Sequence, residues 1–154
     1  MGATEGFELV ERLTPAQVEE LHALYRGEWW TNSRTAEDTR RIVTGSQVVL
    51  AYIELETGSL AAFARAVTDF ISKALVLDVI VRPDLRGTGL GEAVMDTILA
   101  HPSLAAVRHF ELYCRPELVP FYERWGFTDD LGELRFMRRV APTPAATPRD
   151  RGRR

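Results

Sequence analysis

Residues 76–100, VLDVIVRPDLRGTGLGEAVMDTILA, limit the fold of this chain more than any other stretch. The run Val76-Leu77-Asp78-Val79-Ile80-Val81 is apolar and β-branched, a pattern suited to a strand buried on both faces. Arg82-Pro83-Asp84 ends it, because Pro83 has no N–H to give to a ladder. Leu90, Val94 and Ile98 then recur four apart, which predicts one apolar face of a helix. Between strand and helix lies Arg86-Gly87-Thr88-Gly89-Leu90-Gly91. Glycine has no Cβ, so the N–H groups at that helix start stand uncovered. Together with the positive end of the helix dipole they make a natural seat for phosphate.

Three phosphate-binding patterns compete for this turn. The dinucleotide fingerprint G-x-G-x-x-G fails, since its last glycine falls on Glu92. The Walker loop fails because no Gly-Lys-Ser/Thr follows. The pattern that fits is R/Q-x-x-G-x-G/A, carried by Arg86, Gly89 and Gly91 and preceded by Val81-Arg82-Pro83. This combination resembles the pyrophosphate loop of the GNAT superfamily of acyl-CoA-dependent N-acetyltransferases.

A second motif strengthens the resemblance. Residues 115–127, RPELVPFYERWGF, predict a short helix starting near Glu117, with Pro120 tolerated in its first turn and Gly126 as its stop. Phe127 opens a return strand. Phe121-Tyr122-x-x-x-Gly126-Phe127 is similar to the F-Y-x-x-x-G-F that follows the fifth strand of GNAT proteins, and it lies one strand after the glycine turn. The resemblance covers roughly residues 7–140. One departure is Arg115, which stands where many members carry a cofactor-contacting asparagine; its cation suits a cofactor phosphate instead.

The remaining chain accommodates this reading. Residues 7–13 make a plausible first strand. Thr14, Pro15 and Gln17 carry helix-start signals, with Val18, Leu21 and Tyr25 as the apolar face. Thr35 caps a second, short helix closing at Gly45. Residues 47–55 and 60–67 form a hairpin around Glu56-Thr57-Gly58-Ser59. Residues 106–114 form a strand parallel to the central one, by a right-handed crossover. Residues 134–140 form a final strand, and residues 141–154, with three prolines and four arginines, form a disordered tail. The expected fold is α+β: a GNAT-like mixed, mostly antiparallel sheet with splayed parallel fourth and fifth strands and flanking helices. One domain spans 1–140.

Composition excludes several alternatives. At 154 residues the chain is long enough to bury a core unaided. A single cysteine, Cys114, rules out an internal disulfide. The net charge is −3, yet the last six residues contribute +3, leaving −6 for the body, which argues against a nucleic-acid partner. No 18-residue apolar run and no leading signal pattern appears, so no membrane partner and a cytoplasmic location are expected. No metal-ligand spacing is present.

The resemblance implies acetyl-CoA as cofactor, with Val79, Ile80 and Val81 bonding the pantetheine arm through their backbone. It places the pyrophosphate on Arg86, Gly87, Thr88, Gly89, Leu90 and Gly91, with Arg115 as a further contact. It implies acetyl transfer to a primary amine by direct attack in a ternary complex, Tyr122 being the acid for the departing thiolate. Asp78 is the candidate base, since burial in an apolar run tends to raise a carboxyl pKa; a structural bond to backbone or arginine is the competing account. Trp29 and Trp30 either wedge their loop against the core or wall the acceptor pocket, the latter in keeping with the family. Arg34, with Arg40 and Arg41, either favours an acidic acceptor or lies on a solvated face. The acceptor is a small amine or a peptide or protein amine, and a homodimer is compatible with this. A non-catalytic acyl-CoA-binding or sensing module is the alternative, because fold alone does not dictate chemistry.

Overall fold

A computed structural model describes residues 2–142. They fall into two compact units that divide between Arg115 and Pro116.

The first unit is a five-stranded sheet in the order β1-β2-β3-β4-β5, with β1 Phe7–Val10, β2 Val48–Glu54, β3 Leu60–Thr68, β4 Lys73–Val81 and β5 His109–Glu111. The first four strands pair antiparallel, and β4 pairs parallel with β5. The helices are α1 Pro15–Gly27, α2 Ala36–Gly45 and α3 Leu90–Leu99. Both α1 and α2 open on full capping boxes: Thr14 with Gln17, and Thr35 with Asp38. Each box satisfies two backbone donors that a helix start would otherwise leave unpaired.

Side-chain alternation along β2 sorts the layers. Val49, Ala51 and Ile53 join Leu60, Phe63 and Ile80 against Leu21 and Tyr25 of α1. On the other face Tyr52 bonds Thr97 of α3 through its hydroxyl at 2.7 Å, and Leu90, Val94, Met95 and Ile98 are buried there. The sheet is thus covered on both sides, as a β-α-β crossover requires. The strand β4 is not buried on both faces as expected. Beyond the exposed Lys73, its residues alternate between buried and half-buried.

Three predicted strands change. β5 holds only His109–Glu111 within the expected 106–114, because its ladder with β4 stops at Leu75↔Glu111. In the second unit the predicted return strand at Phe127 and final strand at 134–140 are absent from the described residues. Leu134, Phe136, Met137 and Val140 are exposed, and strand preference is realised only against a pairing partner. That unit contains a 3₁₀ turn, Pro116–Leu118, running into α4, Val119–Glu123. The predicted tail lies largely outside the described residues. Among those described, no helix is long and apolar enough to cross a membrane, and no cluster of three metal-ligating side chains occurs.

Candidate active site

The site begins with a break in β4. Phe63 pairs with Ile80 and Arg65 pairs with Leu77, so Asp78 and Val79 together oppose Ala64. This is a β-bulge, and Asp78 takes φ of 56°, a left-handed conformation in which Asp is among the few tolerated side chains. A bulge re-aims the side chain it carries. Here it turns a carboxylate into the layer between sheet and helices.

Asp78 is saturated with donors. Its Oδ2 accepts from the Tyr25 hydroxyl at 2.8 Å, from Arg34 Nη1 at 2.7 Å and from Arg65 Nε at 2.7 Å, and its Oδ1 accepts from Arg34 Nη2 at 3.2 Å. The Asp78 side chain is only 2% exposed, so two guanidiniums neutralise one nearly dry carboxylate. Burial, the largest single influence, pushes its pKa up, but hydrogen bonds and charge from Arg34 and Arg65 more than offset it and the pKa is lowered. Burial followed by the charge of Asp78 raises the Tyr25 pKa, which keeps that phenol a donor. The Asp78 pKa is thus shifted opposite to the direction expected from burial alone. The reason is two cations that the local sequence of β4 does not contain.

The sheet opens ahead of this bulge, after Leu75. β5 pairs with β4 only at Lys73↔His109, Ala74↔Phe110 and Leu75↔Glu111. β4 continues to Val81 with no strand on that side among the described residues. Val79, Ile80 and Val81 therefore border a parted edge at which an extended ligand can bond backbone groups.

The glycine turn follows directly. A 3₁₀ turn, Pro83–Leu85, leads to Gly87 at φ 75° and to Gly89, which caps α3 at φ 88° with no side-chain cap bond. Leu90 sends its side chain into the core, while Gly91 is half-buried, so the first-turn N–H groups of α3 are not covered by their own side chains. Thr88 Oγ1 donates to the Leu85 carbonyl at 2.6 Å and holds the turn. Arg86 is tethered at its base by Nε to the Val81 carbonyl, 3.2 Å, and at its tip by Nη2 to Glu28 Oε1, 2.5 Å. This combination of uncapped helix start, left-handed glycines and one adjacent cation fits a pyrophosphate.

The loop after α1 meets both cations expected on the cofactor. Glu28 pairs with Arg86, and Trp29 stacks under the Arg115 guanidinium at 4.3 Å from ring centroid to Cζ. Trp29 is 62% exposed and Trp30 39%, so neither is wedged into the core. Arg34 is not on a solvated face either; it is bound to Asp78 and stacks on the Tyr25 ring at 4.6 Å. Tyr122 is buried, edge-on to Phe121 at 5.0 Å and to Phe127 at 6.2 Å, and Gly126 ends the segment at φ 84°.

Reading the chain in order missed Tyr25 and Arg65 as site residues. Arg65 did leave a signal: a single cation inside the apolar run of β3, beside a strand with a single buried acid. Buried charges are paired, and adjacent antiparallel strands are where to look for the partner. Tyr25 left none, and nothing in the sequence tied Arg34 to Asp78, because contacts 53 and 44 residues distant from Asp78 in sequence have no periodicity.

A mixed sheet that parts just ahead of a bulge and leads into a glycine turn at a helix start is the architecture that the sequence resemblance implies. The family model for the acetyltransferase (GNAT) domain matches residues 11–144. The chain belongs to the GNAT family of acetyltransferases. Among curated relatives, serotonin N-acetyltransferase 2, chloroplastic, of Oryza sativa subsp. japonica is 39% identical over 108 residues, 68% of this chain and 53% of that protein. An uncharacterised N-acetyltransferase, ycf52, of Porphyra purpurea is 32% identical over 55% of this chain and 50% of its own length. The chain thus spans about half the length of these relatives. A crystal structure assigned to the GNAT family from Xanthomonas campestris pv. campestris superposes with a TM-score of 0.76 at 27% identity, covering 92% of this chain and 97% of the other.

Proposed function

We propose that this protein is an N-acetyltransferase that moves an acetyl group from acetyl-CoA to a primary amine by direct attack in a ternary complex. The observation that carries the proposal is the parting of β4 from β5 after Leu75, on the strand that leads into the Arg86–Gly91 turn. Acetyl-CoA supplies an activated thioester. The backbone of Val79, Ile80 and Val81 aligns its pantetheine arm, while Arg86, Gly87, Thr88, Gly89, Leu90 and Gly91 hold the pyrophosphate, with Arg115 as a further cation. Alignment of this kind converts attack into an effectively unimolecular step, which supplies much of the acceleration. A backbone N–H near Ile80 stabilises negative charge developing on the acyl oxygen.

Tyr122 serves as the acid for the departing thiolate, by its place in the Phe121-Tyr122-x-x-x-Gly126-Phe127 motif. Asp78 takes a positioning role. A carboxylate already shared by three donors is a weak base at neutral pH, and its bonds fix Arg34, Arg65 and the bulge that aims Val79–Val81. Trp29, Trp30 and Arg34 lie on the acceptor side, on the loop between α1 and α2.

Following free CoA thiol across amines, amino acids and peptides tests the reading, with acetyl-CoA binding measured by calorimetry in parallel. Acceptor-dependent thiol release above the acetyl-CoA-alone rate is the expected result. Tight acetyl-CoA binding with no acceptor-dependent release would identify a cofactor-sensing module instead.

A further inference from the structure

The cleft beside Asp78 carries information about the acceptor, an inference that rests on the acetyltransferase reading above. Arg34 ahead of α2, Arg41 on α2 and Arg65 on β3 converge on one open cleft of about 460 Å³, together with Asp38 and Ser46. This volume is in the range that small ligands occupy. Arg40, adjacent in sequence, turns away and pairs with Glu37 at 3.1 Å.

The charges in the cleft do not cancel. Asp78 is shared by Arg34 and Arg65 and offsets one of them. Asp38 is committed to its helix, its Oδ2 accepting from the Thr35 N–H at 2.8 Å. Hydrogen bonds from Thr35 hold its carboxyl below the usual range, and the fields of Arg41 and Arg34 add to this. Ser46 Oγ accepts from Arg65 Nη1 at 3.3 Å and donates to the Ile42 carbonyl at 2.7 Å, which ties that guanidinium to the cleft wall. Arg41 makes neither hydrogen bond nor ion pair among the described residues. Three cations against two committed acids leave one exposed guanidinium facing a concave surface.

We propose that this cleft receives a compact oxyanion, carboxylate or phosphate, on the acceptor, so that the substrate is a small amine that also carries an acid group. A guanidinium offers a planar fork of donors matched to such oxyanions, and a neutral amine gives Arg41 nothing to bond. The cleft is placed for this use. Arg34 and Arg65 line it and bond Asp78, which lies in the bulge directly before the Val79-Ile80-Val81 edge.

The test compares acceptors differing only in the acid, with acetyl-CoA as donor: tyrosine against tyramine for carboxylate, and phosphoethanolamine against ethanolamine for phosphate. The acid-bearing member of at least one pair should be preferred by about tenfold in kcat/KM, the pair showing which oxyanion is read. Arg41→Ala should bring that ratio close to one through KM, while Arg40→Ala should preserve it. Preference for the neutral members, or an acid preference that survives Arg41→Ala, overturns the oxyanion site and leaves the acetyltransferase reading standing. Acetyl-CoA binding with no turnover of any member overturns this inference, and the acetyltransferase reading falls with it only if the wider screen of amines and peptides also gives no acceptor-dependent thiol release.

Discussion

Asp78 concentrates the residue-scale physics of this protein. It combines a left-handed backbone, a nearly dry carboxylate and three side-chain donors. Asp78→Asn keeps the size and the tolerance for positive φ but leaves Arg34 and Arg65 facing a neutral amide. Removing one partner of a buried ionic cluster costs about 3 kcal/mol, so a clear fall in Tm is expected. Because the folded-state pKa is lowered, the stabilisation from the charge is fully present above the unfolded carboxyl value, about 3.9. It is lost as pH falls through the lower folded value. The Tm difference between wild type and variant should therefore be constant from pH 7 to pH 5 and shrink as the medium is acidified below about pH 4. Turnover of the variant should fall by a pH-independent factor. A loss that shrinks as pH rises would instead restore Asp78 as the base.

At the scale of elements, the turn between β4 and α3 is the unit to perturb, and its two left-handed glycines are not equivalent. A Cβ at Gly89 would stand 3.1 Å from the Ala3 Cβ, so a side chain there disturbs packing as well as the phosphate seat. A Cβ at Gly87 meets nothing within 4 Å. Gly87→Ala therefore bears only the left-handed backbone penalty, about 1–2 kcal/mol, and places a methyl in the turn. Calorimetry should show the acetyl-CoA Kd rising about tenfold or more with the fold retained. An unchanged Kd would remove the turn from the cofactor site. The turn, the capping boxes and the hairpin at Gly58 were all legible beforehand, because each rests on chemistry within a few residues. The existence and parallel pairing of β5 were legible too, but its short extent and the absence of strand at 134–140 among the described residues were not, because a strand exists only where a ladder partner is set against it.

For the whole molecule, the sharpest prediction concerns Tyr122, which lies in the second unit. Tyr122→Phe removes one hydroxyl and keeps the ring contacts with Phe121 and Phe127. If the hydroxyl protonates the thiolate, kcat should fall by about a hundredfold while the acetyl-CoA Kd stays within twofold. A donor with a more acidic thiol should rescue the variant more than the wild type. Normal turnover of the variant with acetyl-CoA would reduce Tyr122 to a packing residue.

The sequence alone determined what short-range chemistry dictates: helix caps at Thr14 and Thr35, the strand–turn–helix of residues 76–100, and the two motifs that resemble GNAT proteins. It also showed that Asp78 was an acid in an apolar run. Only the tertiary structure decided what that acid does, because its state depends on which cations reach it. Tyr25 and Arg34 arrive from α1 and the loop beyond it, and Arg65 arrives across the β3–β4 ladder. Desolvation acts through local burial and can be anticipated from an apolar run. Coulombic and hydrogen-bond stabilisation depend on distances set by the fold, and here their sum exceeds the burial effect.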